Sequence, residues 1–156
     1  MGLFLCLISL SLLGAFTIWG PIYLGEAAFV TTQLLASDTT FTTLNTILPN
    51  VTVPFVAANI FQSLWCASFR PSYEEGWKKY ISVGMLGGTA YSLFLASTSG
   101  QAAIILTGMA NQTYLLYPLI AHFGWTSAAT LVNLNGSIGS DKSVSPRIVV
   151  AVGHSR

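Results

Sequence analysis

One acidic residue lies inside a long apolar stretch of this sequence. Glu26 is the only charged residue between Gly2 and Ala36. A bare carboxylate in such a segment is costly to bury, so it must be protonated or meet a hydrogen-bond donor. The candidate donors are His122, Tyr23 and a glutamine. We therefore expect Glu26 to supply a buried acid to a site between segments of the chain.

Polar and aromatic residues recur at helical spacing around this acid. Residues three, four or seven positions apart share one face of a helix, and polar faces should turn away from lipid. Trp19 and Trp125 offer flat walls for a planar apolar ligand. A polar face can instead serve only to hydrogen-bond neighbouring helices. The three faces are Trp19, Tyr23, Glu26 and Gln33; Asn59, Gln62, Ser63, Cys66 and Arg70; and His122, Trp125, Ala129 and Asn133.

Other kinds of chemistry find no support in the residue pattern. His122 and His154 stand alone, and Cys6 and Cys66 are far apart, so the spacing of a metal site is missing. The sequence contains no glycine-rich phosphate loop after a strand and no arrangement of serine, histidine and acid. We therefore expect neither catalytic residues nor a metal centre.

The composition is that of a membrane protein. Of the 156 residues, 53% are hydrophobic and 7% are charged, whereas soluble domains carry about 25% charged residues. Six basic and five acidic residues leave no basic field for nucleic acid. The length allows one all-α, multi-pass bundle of about four to five spans, at ~20 residues per span.

Three regions follow from the apolar segments. Residues 1–13 form a short apolar piece, which is either a truncated first helix or signal-like. Residues 14–138 form the transmembrane bundle, and residues 139–156 form a polar loop and the start of an incomplete helix. The expected spans run from about Gly14 to Ala36, Val51 to Phe69, Trp77 to Thr98 and Tyr114 to Ile138.

The loops between these spans differ in charge. Ser37–Asn50 and Ser99–Thr113 contain no basic residue, whereas Lys78 and Lys142 lie in basic segments. Basic loops remain on the cytoplasmic side or its organellar equivalent. We therefore expect the two basic segments to share one side of the membrane.

Small residues repeat every four positions along the third of these spans. This small-residue face would let another helix approach closely. It can be an internal contact, or it can be the surface by which the chain joins a homodimer or a larger membrane complex. The face comprises Gly84, Gly88, Ser92 and Ala96.

Three segments combine tryptophan with tyrosine, asparagine or small residues in a set order. In the first, Trp19 precedes Tyr23 by four residues; in the second, Asn59 precedes Trp65. The third passes from Leu116-Tyr117-Pro118 through Trp125 and Ala129 to Asn133. In order and spacing, from about Gly14 to Ile138, this pattern resembles the TspO/MBR family of translocator and tryptophan-rich sensory proteins, including its longer relatives.

The resemblance implies a five-helix membrane bundle, often dimeric, with a cavity for tetrapyrroles or sterols. Leu134-Asn135-Gly136 stands where the family's aromatic and basic sterol motif would be, so a tetrapyrrole is the favoured ligand. Glu26 and His122 are also expected ligand contacts, but this expectation comes from the helix faces on which they lie and not from the resemblance. The positions that match the family are Trp19, Tyr23, Asn59, Trp65, Trp125, Ala129 and Asn133.

These observations support two functions. The first is a non-enzymatic membrane protein that binds a hydrophobic planar ligand, such as a tetrapyrrole, between its helices. The second is a structural or assembly subunit of a larger membrane complex, which would dock through the small-residue face.

Overall fold

The computed structural model describes residues 17–35, 38–68, 70–108, 110–141 and 144–145. Within these ranges the chain is helical and contains no strand. The predicted region 1–13 and most of 139–156 lie outside the described residues. The α-helices are α1 (Trp19–Leu35), α2 (Asp38–Ala67), α3 (Tyr80–Leu106) and α4 (Tyr117–Gly139).

The predicted all-α membrane bundle is confirmed. Three described helical segments are long and apolar enough to cross a membrane, namely Leu44–Ala67, Gly76–Leu106 and Thr113–Gly139. The helix α1 has 17 residues, which corresponds to about 25 Å at 1.5 Å per residue. α2 packs along α3, α3 packs along α4, and α1 lies against α4.

The predicted loop Ser37–Asn50 is wrong, because α2 already begins at Asp38. The hydroxyl groups of Thr46 and Thr52 donate to carbonyl oxygens four residues earlier, at 3.1 and 2.7 Å. Threonine and asparagine favour turns because their side chains compete for backbone hydrogen bonds, but here these bonds satisfy the threonine hydroxyl groups inside a helix. Burial of one helix face decides the outcome; the buried side chains are Leu44, Ile47 and Val51.

Ser99–Thr113 is predicted as an uncharged loop or a partly apolar re-entrant segment, and its first half is also wrong, because α3 continues to Leu106. Ala103 and Ile104 are buried, so packing extends the helix past a run of small residues. The chain then turns at Gly108, whose φ of 71° suits glycine. A 3-10 helix, Ala110–Leu116, leads into α4.

The hydrophobic core lies at the end of the bundle away from the charged segments. It contains residues from the end of α1, the first half of α2, the end of α3 and the start of α4. The rings of Phe29 and Phe55 meet edge to face at 6.1 Å and join α1 to α2. The core consists of Phe29, Leu44, Ile47, Val51, Ala96, Ala103, Ile104, Leu115, Leu116 and Leu119.

The charged segments meet at the other end of the bundle. Lys79 Nζ lies 3.9 Å from Asp141 Oδ1 and donates to the Ser140 carbonyl at 3.3 Å. The Tyr80 hydroxyl donates to Asp141 Oδ2 at 2.9 Å. The start of α3 is therefore tied to the first residues after α4 at one end of the bundle.

The small-residue face is used largely inside the bundle. A Cβ on Gly88 would lie 2.9 Å from the ring of Phe61 on α2. Ser92 and Ala96 are buried, whereas Gly84 is open. Gly100 continues the four-residue repeat, and its Cβ would lie 2.9 Å from a methyl group of Val51. Of the two alternatives for this face, the described residues form the internal contact.

Candidate functional site

The site is organised around a direct contact between Glu26 and His122. His122 Nδ1 lies 2.6 Å from Glu26 Oε1, and this hydrogen bond joins the middle of α1 to α4. Glu26 is 5% exposed and His122 is 2% exposed. Of the candidate donors His122, Tyr23 and a glutamine, His122 is therefore the one that meets the Glu26 carboxyl group. A buried carboxylate needs such a partner because water is excluded from it.

Aromatic rings surround this pair at the start of α1. The Trp19 ring stacks on that of Tyr23 at 5.4 Å and meets His122 edge-on at 5.5 Å. It also lies 6.1 Å from Trp125 and 6.2 Å from Trp65. Trp19 and Tyr23 are four residues apart and so share one face of α1. We call the five residues Trp19, Tyr23, Trp65, His122 and Trp125 the aromatic cluster.

A glutamine of α2 completes the polar part of this cluster. Gln62 is 7% exposed and forms a side-chain hydrogen bond with Tyr23. Gln62 is predicted on a polar helix face but not among the ligand contacts. The available signal was its position three residues before Trp65, which predicts that both side chains reach the same region.

Buried polar atoms of the cluster carry unused hydrogen-bonding capacity. Among the described residues, His122 Nε2, Trp125 Nε1 and Gln62 Oε1 are buried without a partner. Native proteins satisfy most buried polar atoms, so each exception calls for an explanation. A bound ligand that is mainly apolar but carries a few polar groups would supply the missing partners.

The structure does not bring every predicted site residue to the aromatic cluster. Asn59 is exposed on the outer face of α2, where its Nδ2 donates to the Phe55 carbonyl at 2.9 Å. Ala129 lies one turn after Trp125 on α4 and is partly buried. Asn133 lies a further turn along α4, and its Oδ1 accepts from the Ser82 hydroxyl at 3.1 Å.

Asn133 instead lines a separate cavity at the charged end. The volume of this cavity is about 590 Å³. Its lining combines basic side chains with one acid and several hydroxyl groups, so it differs in chemistry from the aromatic cluster. The residues are Ser68, Arg70, Pro71, Tyr73, Glu74, Lys78, Lys79, Ser82, Asn133, Gly136, Ser137 and Ser140.

Comparison with known proteins places this arrangement in a family. The family model described as TSPO-like protein matches residues 13–140, which include all four described helices and the whole aromatic cluster. No curated protein and no solved structure gives a significant match. Because the family match covers most of the sequence, the chain belongs to the TSPO-like protein family.

Proposed function

We propose that this membrane protein binds a hydrophobic planar ligand of the tetrapyrrole class at the aromatic cluster, in a non-enzymatic, translocator-like role. The observation that carries the proposal is the set of aromatic rings around a buried acid and histidine whose polar atoms are only partly used. Membership of the TSPO-like family is consistent with this ligand class.

The chemistry of the cluster suits a large flat ligand with a polar centre and polar edge groups. Indole faces stack on extended π-systems, and Trp19 and Trp125 lie together in an edge-to-face contact with ring centres 6.1 Å apart. Trp125 Nε1 can donate a hydrogen bond, and Gln62 Oε1 can accept one. A tetrapyrrole carries both donors and acceptors in an otherwise apolar ring, so it can satisfy these atoms.

The route to the cluster passes Trp19 in this proposal. Trp19 is the first residue of α1 and is partly exposed, and the Tyr23 ring that stacks on it is 44% exposed. The rings of the aromatic cluster contact one another. A ligand that enters the cluster must therefore displace some of these contacts and contact the rings in their place. Because the Trp19 ring contacts His122 edge-on, this exchange requires the Trp19 side chain to turn away from His122.

The test is quenching of tryptophan fluorescence by protoporphyrin in the detergent-purified protein. We expect saturable quenching, with lower affinity in the double variant Trp19→Phe/Trp125→Phe. Trp77→Phe is the matched control, because Trp77 is 71% exposed at the charged end and lies outside the cluster. Equal affinity of the double variant and the control would contradict the proposed site. Absence of saturable quenching in the folded wild-type protein would contradict the proposed ligand class.

The second candidate function, a subunit that docks through the small-residue face, would need that face to be accessible. Gly88 is already covered by Phe61, and Ser92 and Ala96 are buried. Gly84 is the open position of the four. The proposal of ligand binding therefore has the stronger support, and Gly84→Leu tests docking without disturbing the covered positions.

A further inference from the structure

The cavity at the charged end of the bundle is separate from the aromatic cluster and has a different chemistry. We infer that it binds the phosphate-bearing headgroup of an anionic phospholipid. This inference goes beyond the function proposed above and does not depend on it, because none of the five residues of the aromatic cluster lines the cavity. It follows from the charge of the cavity wall, from the unpaired donors in that wall, and from the level of the cavity along the helices.

The charge of the cavity wall is predominantly positive. Every lysine and arginine that the structure describes lines this cavity, namely Arg70, Lys78 and Lys79, and they face a single acid of the lining, Glu74. Lys79 is partly neutralised by Asp141 at 3.9 Å. Arg70 and Lys78 form no ion pair with any described residue. A concave wall with cations that lack a counter-charge attracts a negatively charged group.

The same wall contains hydrogen-bond donors that have no partner among the described residues. Arg70 Nε donates to the Ala67 carbonyl at 3.0 Å, and the two terminal nitrogens of its guanidinium group are unpaired. The Lys78 ammonium group, the Tyr73 hydroxyl group and Asn133 Nδ2 are also unpaired. Phosphate oxygens accept several hydrogen bonds at once, and guanidinium and ammonium groups are the cations that proteins use to bind them. The unpaired donors therefore fit a phosphate group.

The cavity lies at the level where the apolar spans end. Its wall combines the end of α2, the segment between α2 and α3, the start of α3 and the end of α4. The apolar segments Leu44–Ala67 and Thr113–Gly139 end here, and Gly76–Leu106 begins here. Trp77 is 71% exposed beside the lysines, and tryptophan is enriched where a membrane meets water. The cavity is therefore at the level of lipid headgroups.

The surface beside the cavity favours a lipid over a water-soluble phosphate compound. Leu64 lies one turn before Ser68 on α2, and Val132 lies one turn before Gly136 on α4; Ser68 and Gly136 line the cavity. Leu64 is 48% exposed and Val132 is 72% exposed. Because residues four positions apart share a helix face, exposed apolar surface continues from the cavity towards the middle of both helices. A headgroup in the cavity would leave its acyl chains on this surface, as in other basic pockets between membrane helices.

The test is native mass spectrometry of the full chain in detergent, which counts bound lipids by mass and gives apparent dissociation constants. The probes are phosphatidate, which has a net negative headgroup, and phosphatidylcholine with the same acyl chains, which has no net charge. We expect the wild-type protein to bind phosphatidate at least about fivefold more tightly than phosphatidylcholine. Equal affinities for the two lipids would overturn the inference.

Substitutions of the unpaired cations test the wall itself. Arg70→Gln and Lys78→Gln should each lower the affinity for phosphatidate about fivefold, and Lys78→Arg should retain it because the charge is kept. Both side chains are exposed and form no ion pair with a described residue, so these variants should fold. Wild-type affinity in both Gln variants would show that the phosphate group does not bind at this wall.

A pair of neighbouring acids separates a defined site from diffuse attraction to a basic surface. Glu74→Gln should tighten phosphatidate binding, because it removes the negative charge from the lining. Glu75→Gln is the matched control, since it removes the same charge one residue along the chain and Glu75 does not line this cavity. Its effect should be clearly smaller. Equal gains in the two variants would indicate diffuse attraction and would overturn the assignment to the cavity.

Glycerol 3-phosphate distinguishes a lipid from a soluble ligand, because it carries the phosphate group without acyl chains. We expect it to bind at least roughly tenfold more weakly than phosphatidate. If it binds equally tightly, the cavity takes a water-soluble phosphate compound and the lipid assignment is wrong. Trp19→Phe/Trp125→Phe should bind phosphatidate as the wild-type protein does. A failure of tetrapyrrole binding would therefore leave this inference standing, and loss of phosphatidate binding in that variant would contradict two separate sites.

Discussion

Replacing either Glu26 or His122 alone should destabilise the protein more than replacing both together. The two side chains are 5% and 2% exposed and meet at 2.6 Å. Glu26→Met removes the acceptor and leaves His122 Nδ1 buried without a partner. His122→Phe removes the donor and leaves the Glu26 carboxyl group buried without a partner. Both substitutions approximately conserve shape, so the loss of the hydrogen bond dominates their effect.

The expected magnitudes follow from the burial of the pair. Leaving one neutral polar group buried and unsatisfied costs about 1–3 kcal/mol, and leaving an uncompensated buried charge costs about 3–5 kcal/mol. Replacing both partners with apolar groups of similar shape can be almost neutral. We therefore expect Glu26→Met and His122→Phe each to lower the free energy of unfolding by at least ~1 kcal/mol. The double variant should approach the stability of wild type.

The assay is reversible unfolding in mixed detergent micelles, followed by far-UV circular dichroism. Glu26→Gln serves as the matched control, because its amide oxygen still accepts a hydrogen bond from His122. The coupling free energy is the change in unfolding free energy of the double variant minus the sum of the changes in the two single variants. Single effects that add to within about 0.5 kcal/mol would show that the two residues act independently. That result would refute the reasoning that the contact stabilises the bundle.

Two further predictions concern packing and the charged end. Gly88→Ala should destabilise by about 1–3 kcal/mol, because its Cβ would lie 2.9 Å from the Phe61 ring, whereas Gly84→Ala meets nothing within 4 Å. Equal unfolding midpoints for the two variants would contradict this packing. Lys79→Met should cost at most about 1 kcal/mol, because Lys79 lies 3.9 Å from Asp141. Salt should weaken this effect, so a loss that persists at high ionic strength would argue against an electrostatic origin.

The sequence predicts that a buried Glu26 meets a hydrogen-bond donor, and it offers His122, Tyr23 and a glutamine as candidates. A single acid lies within the first long apolar stretch, and a histidine lies within the last one. Burial of an unpaired carboxylate is costly enough that the chain must provide a donor. The structure selects His122 among these candidates, and this contact joins α1 to α4.

The helix boundaries were harder to predict, because local preferences and tertiary packing disagree. Thr46 and Asn50 favour a turn when they are considered alone, but Leu44, Ile47 and Val51 bury one face of α2. Gly100 would weaken an isolated helix. In the bundle it allows α3 to approach Val51 closely. A segment extends as a helix when the burial of its apolar face exceeds such small local penalties.

Composition and apolar patterning determine by themselves that this is a helical membrane protein with one deeply placed acid, because the bilayer penalises every unsatisfied polar group. Only the tertiary structure decides which polar residues face each other. Asn59 and Gln62 are three residues apart, but Asn59 is exposed on the outside of α2 while Gln62 is buried beside Tyr23. That choice depends on the rotation of α2 about its axis. Helical spacing gives the relative positions of side chains on a helix, and packing against neighbouring helices sets the rotation itself.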